Sequence, residues 1–149
     1  HLTTRRQRQM CIRDRGLLLA DAGTVLSLTL IDGHGCFRGG RLMPGLRLQL
    51  QAMASGTALL PAVTGQQRFD DPFPKGTAEA MGQGVMQGLA AAVVDAQQRS
   101  GACLWLCGGD APWLQEELIR RGLSVQMDQQ LQLQAMVDLI PVIKPVPDH

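Results

Sequence analysis

Residues 17–42 read LLLADAGTVLSLTLIDGHGCFRGGRL. Leu17–Ala20 is an apolar run that ends in a turn, Asp21-Ala22-Gly23-Thr24. Val25–Ile31 then alternates apolar and polar residues before it closes on two apolar ones, as a half-buried strand does. Asp32-Gly33-His34-Gly35 is rich in residues that tolerate positive φ and predicts a hairpin turn. Cys36–Leu42 returns as a third strand. Three short strands in succession, joined by tight turns, make a meander.

Beyond the meander the period changes from two to about 3.6. Pro44 suits the first turn of a helix, where its missing N–H costs nothing, and Leu46, Leu50 and Met53 fall on one helical face. Residues 55–74 hold three Pro, Asp70-Asp71 and several Gly, and predict an irregular loop. A second helix is expected from Thr77 to about Arg99, a buried strand over Cys103–Cys107, and a turn at Gly108-Gly109-Asp110. A third helix from about Pro112 to Arg121, a last strand over Leu123–Met127 and a closing helix over Leu131–Leu139 follow, with a proline-broken tail over residues 141–149. No internal repeat is present. A three-stranded meander followed by alternating helices and strands is the pattern of an RNase H-like α/β domain, the unit that also builds each half of the actin, Hsp70 and sugar-kinase superfamily. Fold alone does not give function.

Composition sets the bounds. A chain of 149 residues with 45% apolar content is long enough to bury a core as one domain. With no Tyr and three Phe, that core is built from Leu, Val, Met and Ala. No apolar run approaches the roughly 20 residues of a membrane span, and no signal-peptide core is present. Cys11, Cys36, Cys103 and Cys107 fit no zinc spacing; Cys103 and Cys107 lie on one face of the apolar run CLWLC, where buried free thiols are expected, and a reducing cytoplasm follows. The net charge is +1, but residues 1–15 hold five Arg against one Asp. The other 134 residues carry nine basic and twelve acidic groups. A basic arm could bind nucleic acid or an anionic membrane. This one has no periodicity, no interleaved aromatics and no helix cap, so neither partner is expected. Its stretch QMCIRDR also resembles the translated adaptor sequence found at broken ends of reading frames. Residues 1–15 are therefore expected to be non-native or disordered, and the domain to run over 16–140.

Three turns can carry chemistry. In Asp21-Ala22-Gly23-Thr24, Gly23 lets a phosphate approach backbone N–H groups, Thr24 adds a hydroxyl, and Asp21 could hold a cation. An ordinary turn with Asp accepting a backbone hydrogen bond explains the same four residues. Gly39-Gly40-Arg41-Leu42-Met43-Pro44-Gly45 is, taken alone, a strand-to-helix connection. Gly108-Gly109 after a buried strand lets a flat purine ring lie against the backbone, at the strand end where open α/β sheets bind ligands; a tight turn is the plainer account. Thr77 opens a helix and reads as its N-cap, a place from which helix N–H groups can also meet an anion. Ala80, Gly84 and Gly88 form a small-residue stripe that either packs inside the domain or faces a second copy.

In order and spacing, LLLADAGTVLSLTLID, GGRLMPGLRLQLQAMASGTALLP, KGTAEAMGQGVMQGLAAAV and LWLCGGDA resemble the type III pantothenate kinases, from about Gly16 to about Met136. The stretch from Gly39-Gly40 to Gly56-Thr57-Ala58-Leu59-Leu60-Pro61 is the most diagnostic. The resemblance implies transfer of the γ-phosphoryl group of ATP to pantothenate, the first committed step of coenzyme A synthesis. It implies a homodimer and a monovalent cation, potassium or ammonium, beside a divalent one such as magnesium. It implies that Asp21 binds the monovalent cation, that Thr24 with Gly23 contacts ATP, that Gly108 and Gly109 lie on the adenosine side, and that Thr77 touches pantothenate. Two family motifs, Asp-x-Gly-Asn-Thr and the Gly-x-Asp-Arg that carries the catalytic base, do not occur here. Asp14-Arg15 lacks the Gly and lies too close to Asp21. No catalytic residue is therefore assigned, and the chain is expected to be inactive alone. A non-catalytic nucleotide-binding or regulatory module of the same fold is the alternative. A nuclease would need clustered carboxylates for two metals, and only Asp21 is well placed.

Overall fold

The computed structural model describes residues 5–63 and 70–128. The chain opens with α1 (Arg5–Arg15), then the meander β1 (Leu17–Ala22), β2 (Val25–Ile31) and β3 (Phe37–Pro44). Helices α2 (Leu46–Gly56) and α3 (Thr77–Ser100) lead to β4 (Cys103–Cys107), α4 (Ala111–Arg120) and β5 (Val125–Met127). The five strands form one sheet in the order β3-β2-β1-β4-β5. The β1–β2 and β2–β3 pairs are antiparallel, β1–β4 and β4–β5 parallel. An antiparallel meander extended by two parallel crossovers is the RNase H-like arrangement that the element order predicts.

The apolar pattern decides which face each element buries. Leu18, Ala20 and Ala22 alternate onto one face of β1 and share the main core with Leu50 of α2 and Leu114 and Leu118 of α4. Helix α3 adds Met81, Val85, Leu89 and Val93, one residue every fourth position, and all four are buried. The opposite face carries a smaller cluster of Leu17, Ile31, Cys103 and Trp105, covered by Cys11 and Ile12 of α1. Strand β4 is buried at all five positions because it lies between β1 and β5 with elements on both faces.

Asp32 closes the β2–β3 hairpin. Its Oδ1 accepts from the amides of His34 and Cys36, each at 2.9 Å, and its Oδ2 takes the Arg38 guanidinium at 2.7 Å. The Cys36 amide first, then Arg38 and the His34 amide, hold its carboxyl below the usual carboxylate range against the opposing effect of desolvation.

Several expectations are corrected. Pro44 ends β3 instead of starting a helix, because the Val25–Pro44 pairing carries the ladder to the edge strand's last residue, where a proline is tolerated. Gly45 is the N-cap of α2. Asp21 and Ala22 belong to β1, since they pair with Ser27 and Leu26, and the turn narrows to Gly23-Thr24. Helix α4 begins at Ala111, and β5 is only three residues long. Residues 5–15 form a helix, which the sequence did not predict, and they bring Cys11 to a Cα–Cα distance of 6.4 Å from Cys103. These two cysteines form a disulfide where free thiols are expected. Of the two cysteines read as buried free thiols, Cys107 is one and Cys103 is not; Cys36 is free and exposed. The closing helix expected over 131–139 and the tail over 141–149 lie outside the described residues.

Candidate functional site

The carboxyl ends of β1 and β4 bring three turns together. The amide of Gly45, at the mouth of α2, donates to the Thr24 carbonyl at 2.8 Å. The amide of Asp110, at the mouth of α4, donates to the Ala22 carbonyl at 2.8 Å. The turn itself is closed by the Gly23 amide on the Val25 carbonyl at 3.3 Å. Residues far apart in sequence thus interlock through their backbones.

Two glycines make this approach possible. A Cβ on Gly45 would run into the carbonyl oxygen of Gly23 and lie 2.8 Å from that of Thr24. Gly108 has φ +93, and a Cβ there would lie 2.5 Å from the Ala22 carbonyl and 2.6 Å from Asp21 Oδ1. Asp21, Gly23, Thr24, Gly108 and Gly109 therefore share one edge of the sheet. Asp21 is half-buried, whereas Thr24 and Gly109 are exposed to whatever lies above that edge.

Thr77 is placed differently from expectation. The N-cap of α3 is Gly76, with the Glu79 carboxylate folded back against it, and Thr77 is the exposed first helical residue. Along α3 it leads the stripe that continues through Ala80 and Gly84 to Gln87. Those three residues line a cavity of about 590 Å³ between α3, α4 and residues 70–74. Gln83 and Glu117, both buried, also line it. Glu117 accepts from Arg121 at 3.1 Å and from Gln87 at 3.2 Å, so its charge is met inside the groove. Ala80, Gly84 and Gly88 are exposed, and a Cβ on either glycine would meet nothing within 4 Å. The stripe faces outward; it does not pack inside the domain.

The sequence reading missed two residues beside the turns. Cys107 is the cross-strand partner of Asp21. Burial first, and then the charge and hydrogen bond of Asp21, push its thiol up to about 11. It is a neutral donor to that carboxylate at physiological pH. Its place directly before Gly108-Gly109, in step with Asp21 along a parallel neighbour, is the signal that could have found it. Trp113 lies under the turn, where Gly23, Gly45 and Asp110 line a small cavity with it. Its Nε1 is buried without a hydrogen-bond partner among the described residues. No periodicity marks it.

Chemically, the edge combines the exposed hydroxyl residue Thr24 and the exposed Gly109, between which an oxyanion could approach, with the half-buried Asp21 carboxylate. Among the described residues, no group of three or more His, Cys, Asp or Glu side chains could hold a metal ion. None of the described helices is long and apolar enough to cross a membrane.

Comparison with known proteins gives a consistent set. The family model described as type III pantothenate kinase matches residues 6–99. That match begins inside the segment that the sequence sets apart. A type III pantothenate kinase from Synechococcus sp. (strain JA-2-3B'a(2-13)) is 41% identical over 110 residues, 68% of this chain and 42% of that protein. The one from Rhodopirellula baltica is 35% identical over 130 residues, covering 83% of this chain and 47% of the relative. The one from Chromobacterium violaceum is 35% identical over 118 residues, covering 72% and 48%. The chain thus spans less than half the length of each of these relatives. Among solved structures, a conserved Campylobacter jejuni protein described as a Baf family transcriptional activator superposes with a TM-score of 0.64 at 22% identity, over 89% of this chain and 61% of its own. At that identity the likeness is one of fold.

Proposed function

The chain belongs to the type III pantothenate kinase family, and from that premise we propose that it is the C-terminal, RNase H-like half of an enzyme that transfers the γ-phosphoryl group of ATP to pantothenate, the first step of coenzyme A synthesis. The observation that carries the reading is the meeting of the Asp21–Thr24, Gly45 and Gly108–Asp110 turns at one sheet edge. Open α/β sheets bind nucleotides at such an edge, and phosphoryl transfer asks mainly for positioning and charge stabilisation there.

The roles follow the resemblance. Gly23 and Thr24 would face the phosphates of ATP, and Gly108 and Gly109 the adenosine. Thr77 would touch pantothenate from the start of α3. Asp21 would hold a monovalent cation, potassium or ammonium. The residues fit that ion in charge and type: Asp21 supplies one carboxylate, hard oxygens with a single negative charge, and its register partner on β2 is the hydroxyl residue Ser27. Magnesium would come with the ATP phosphates. When bound, the cations neutralise phosphate charge; the chain's own part is to orient the nucleotide and keep the turn rigid. The outward stripe Ala80-Gly84-Gly88 supports a homodimer seam, because small residues let two helices approach closely. A biosynthetic enzyme of this kind works in the cytoplasm, a compartment in which a disulfide such as Cys11–Cys103 is uncommon.

The test is to fuse this chain to a type III N-terminal half that supplies Asp-x-Gly-Asn-Thr and Gly-x-Asp-Arg. Pantothenate-dependent ADP release with ATP, magnesium and potassium is the expected result. A folded fusion with no turnover would move the reading to a non-catalytic nucleotide-binding or regulatory module of the same fold.

A further inference from the structure

Two consecutive residues at the end of β4 form one wall around the Asp21 carboxylate. Cys107 is the cross-strand partner of Asp21 and is fully buried. Partners in register on neighbouring strands present their side chains on the same face. The Cys107 thiol donates a hydrogen bond to Asp21. Gly108 follows with φ +93, and a Cβ on it would lie 2.6 Å from Asp21 Oδ1. The oxygen fills the space that any other residue at 108 would claim. On the far side, Ser27 of β2 is the partner of Asp21 in register.

We infer that Cys107 is a positioning residue for Asp21, its thiol and the bare Cα of Gly108 together holding the carboxylate in a single orientation at the carboxyl edge of the sheet. The inference rests on the reading of Asp21 as the ligand of a monovalent cation. A half-buried carboxylate can rotate about χ1 and χ2, and each rotamer points its oxygens elsewhere. A monovalent ion held by one carboxylate gains little from any single contact, so orientation in advance decides how much of that gain survives the cost of ordering. Partners of a ligand that do not touch the ion fix its direction in this way. A thiol is a weak donor, and a serine or threonine hydroxyl at the same place would do the same work.

The experiment compares the 149-residue chain with Cys107→Val, which keeps an apolar side chain of similar bulk but no donor, and Cys107→Ser, which keeps a donor. The Asp21 χ1 rotamer is read from three-bond NMR couplings to its Cγ, without added potassium. Melting temperatures are then compared in potassium and tetramethylammonium chloride at equal ionic strength, with Asp21→Asn as the reference for a lost ligand. One rotamer is expected in the parent and in Cys107→Ser, and averaging in Cys107→Val. The potassium-dependent rise in melting temperature should fall by at least half in Cys107→Val, survive in Cys107→Ser, and vanish in Asp21→Asn. If valine disturbs the strand, as amide spectra would reveal, Cys107→Ala takes its place. An unchanged single rotamer in the donor-free variant, or averaging in Cys107→Ser as well, would overturn the inference. Should the parent melt alike in both salts while Cys107→Val still frees Asp21, the positioning role stands and the cation reading falls.

Discussion

Gly45 has no room for a side chain, because the carbonyls of Gly23 and Thr24 stand where its Cβ would be. Backbone atoms cannot swing aside as a flexible side chain can. Gly45→Ala should therefore push the β1–β2 turn away from α2, at a cost of roughly 1–3 kcal/mol typical of overpacking. A melting temperature lowered by several degrees, measured by circular dichroism, is the expected outcome; an unchanged value would show that the turn yields freely. Thr77 makes the opposite case. It is exposed and caps nothing, since the N-cap is Gly76. In the fused enzyme, Thr77→Val should leave stability unchanged and cost on the order of 1 kcal/mol in one lost hydrogen bond to substrate, roughly fivefold in kcat/KM for pantothenate. The KM for ATP should move less, and an effect confined to melting would exclude substrate contact. The turn at Gly23-Thr24 was legible because Gly marks turns chemically, whereas Asp21, read as part of it, belongs to β1. Cys107 and Trp113 were not, because their importance comes from what lies beside them across the sheet and not from their neighbours in sequence.

At the scale of the element, α3 carries two stripes one residue apart. Met81, Val85, Leu89 and Val93 face the core, and Ala80, Gly84 and Gly88 face outward. A Cβ on Gly84 would meet nothing within 4 Å. Gly84→Leu is thus tolerated by the fold of one chain, and replacing a mid-helix glycine favours the helix by up to about 1 kcal/mol. If the stripe is a seam between two copies, light scattering should report a monomer for Gly84→Leu with no loss of melting temperature. A dimer of undiminished mass would place the seam elsewhere. The extent of α3, β2 and β4 was readable to within a residue or so, because long periodic runs and continuous apolar strands carry their own signal. The ends of β1 and β3 were not, since they depend on pairing: Asp21 and Pro44 look like turn and helix-start residues until Ser27 and Val25 pair with them. Helix α1 was missed for a related reason. Its polar sequence RRQRQMCIRDR has no apolar stripe, and its contribution to the apolar cluster on the sheet comes from Cys11 and Ile12.

For the whole molecule, the prediction is that this chain on its own turns over no pantothenate. The turn cluster offers its exposed groups, Thr24 and Gly109, from one edge of one sheet. An in-line transfer needs the nucleotide held from the opposite side as well, and a base aligned with the pantothenate hydroxyl. The 149 residues contain neither Asp-x-Gly-Asn-Thr nor Gly-x-Asp-Arg, the motifs that supply those parts in the family. Two acidic residues stand near the edge. Asp21 is hydrogen-bonded by Cys107 and packed on Gly108, and Asp110 stands at the N-cap of α4 with its amide tied to Ala22. Effective positioning can lower a barrier by about 7–11 kcal/mol, so losing half of the clamp should leave a rate indistinguishable from background. The purified chain, incubated with ATP, magnesium, potassium and pantothenate, should release no phosphopantothenate above a no-enzyme control under conditions where the fusion does. Turnover by the bare chain at a rate comparable to the fusion would show that a base exists among the present residues, and Asp110→Asn would be the first variant to make, because Asp110 lies in one of the three turns with its amide on the Ala22 carbonyl.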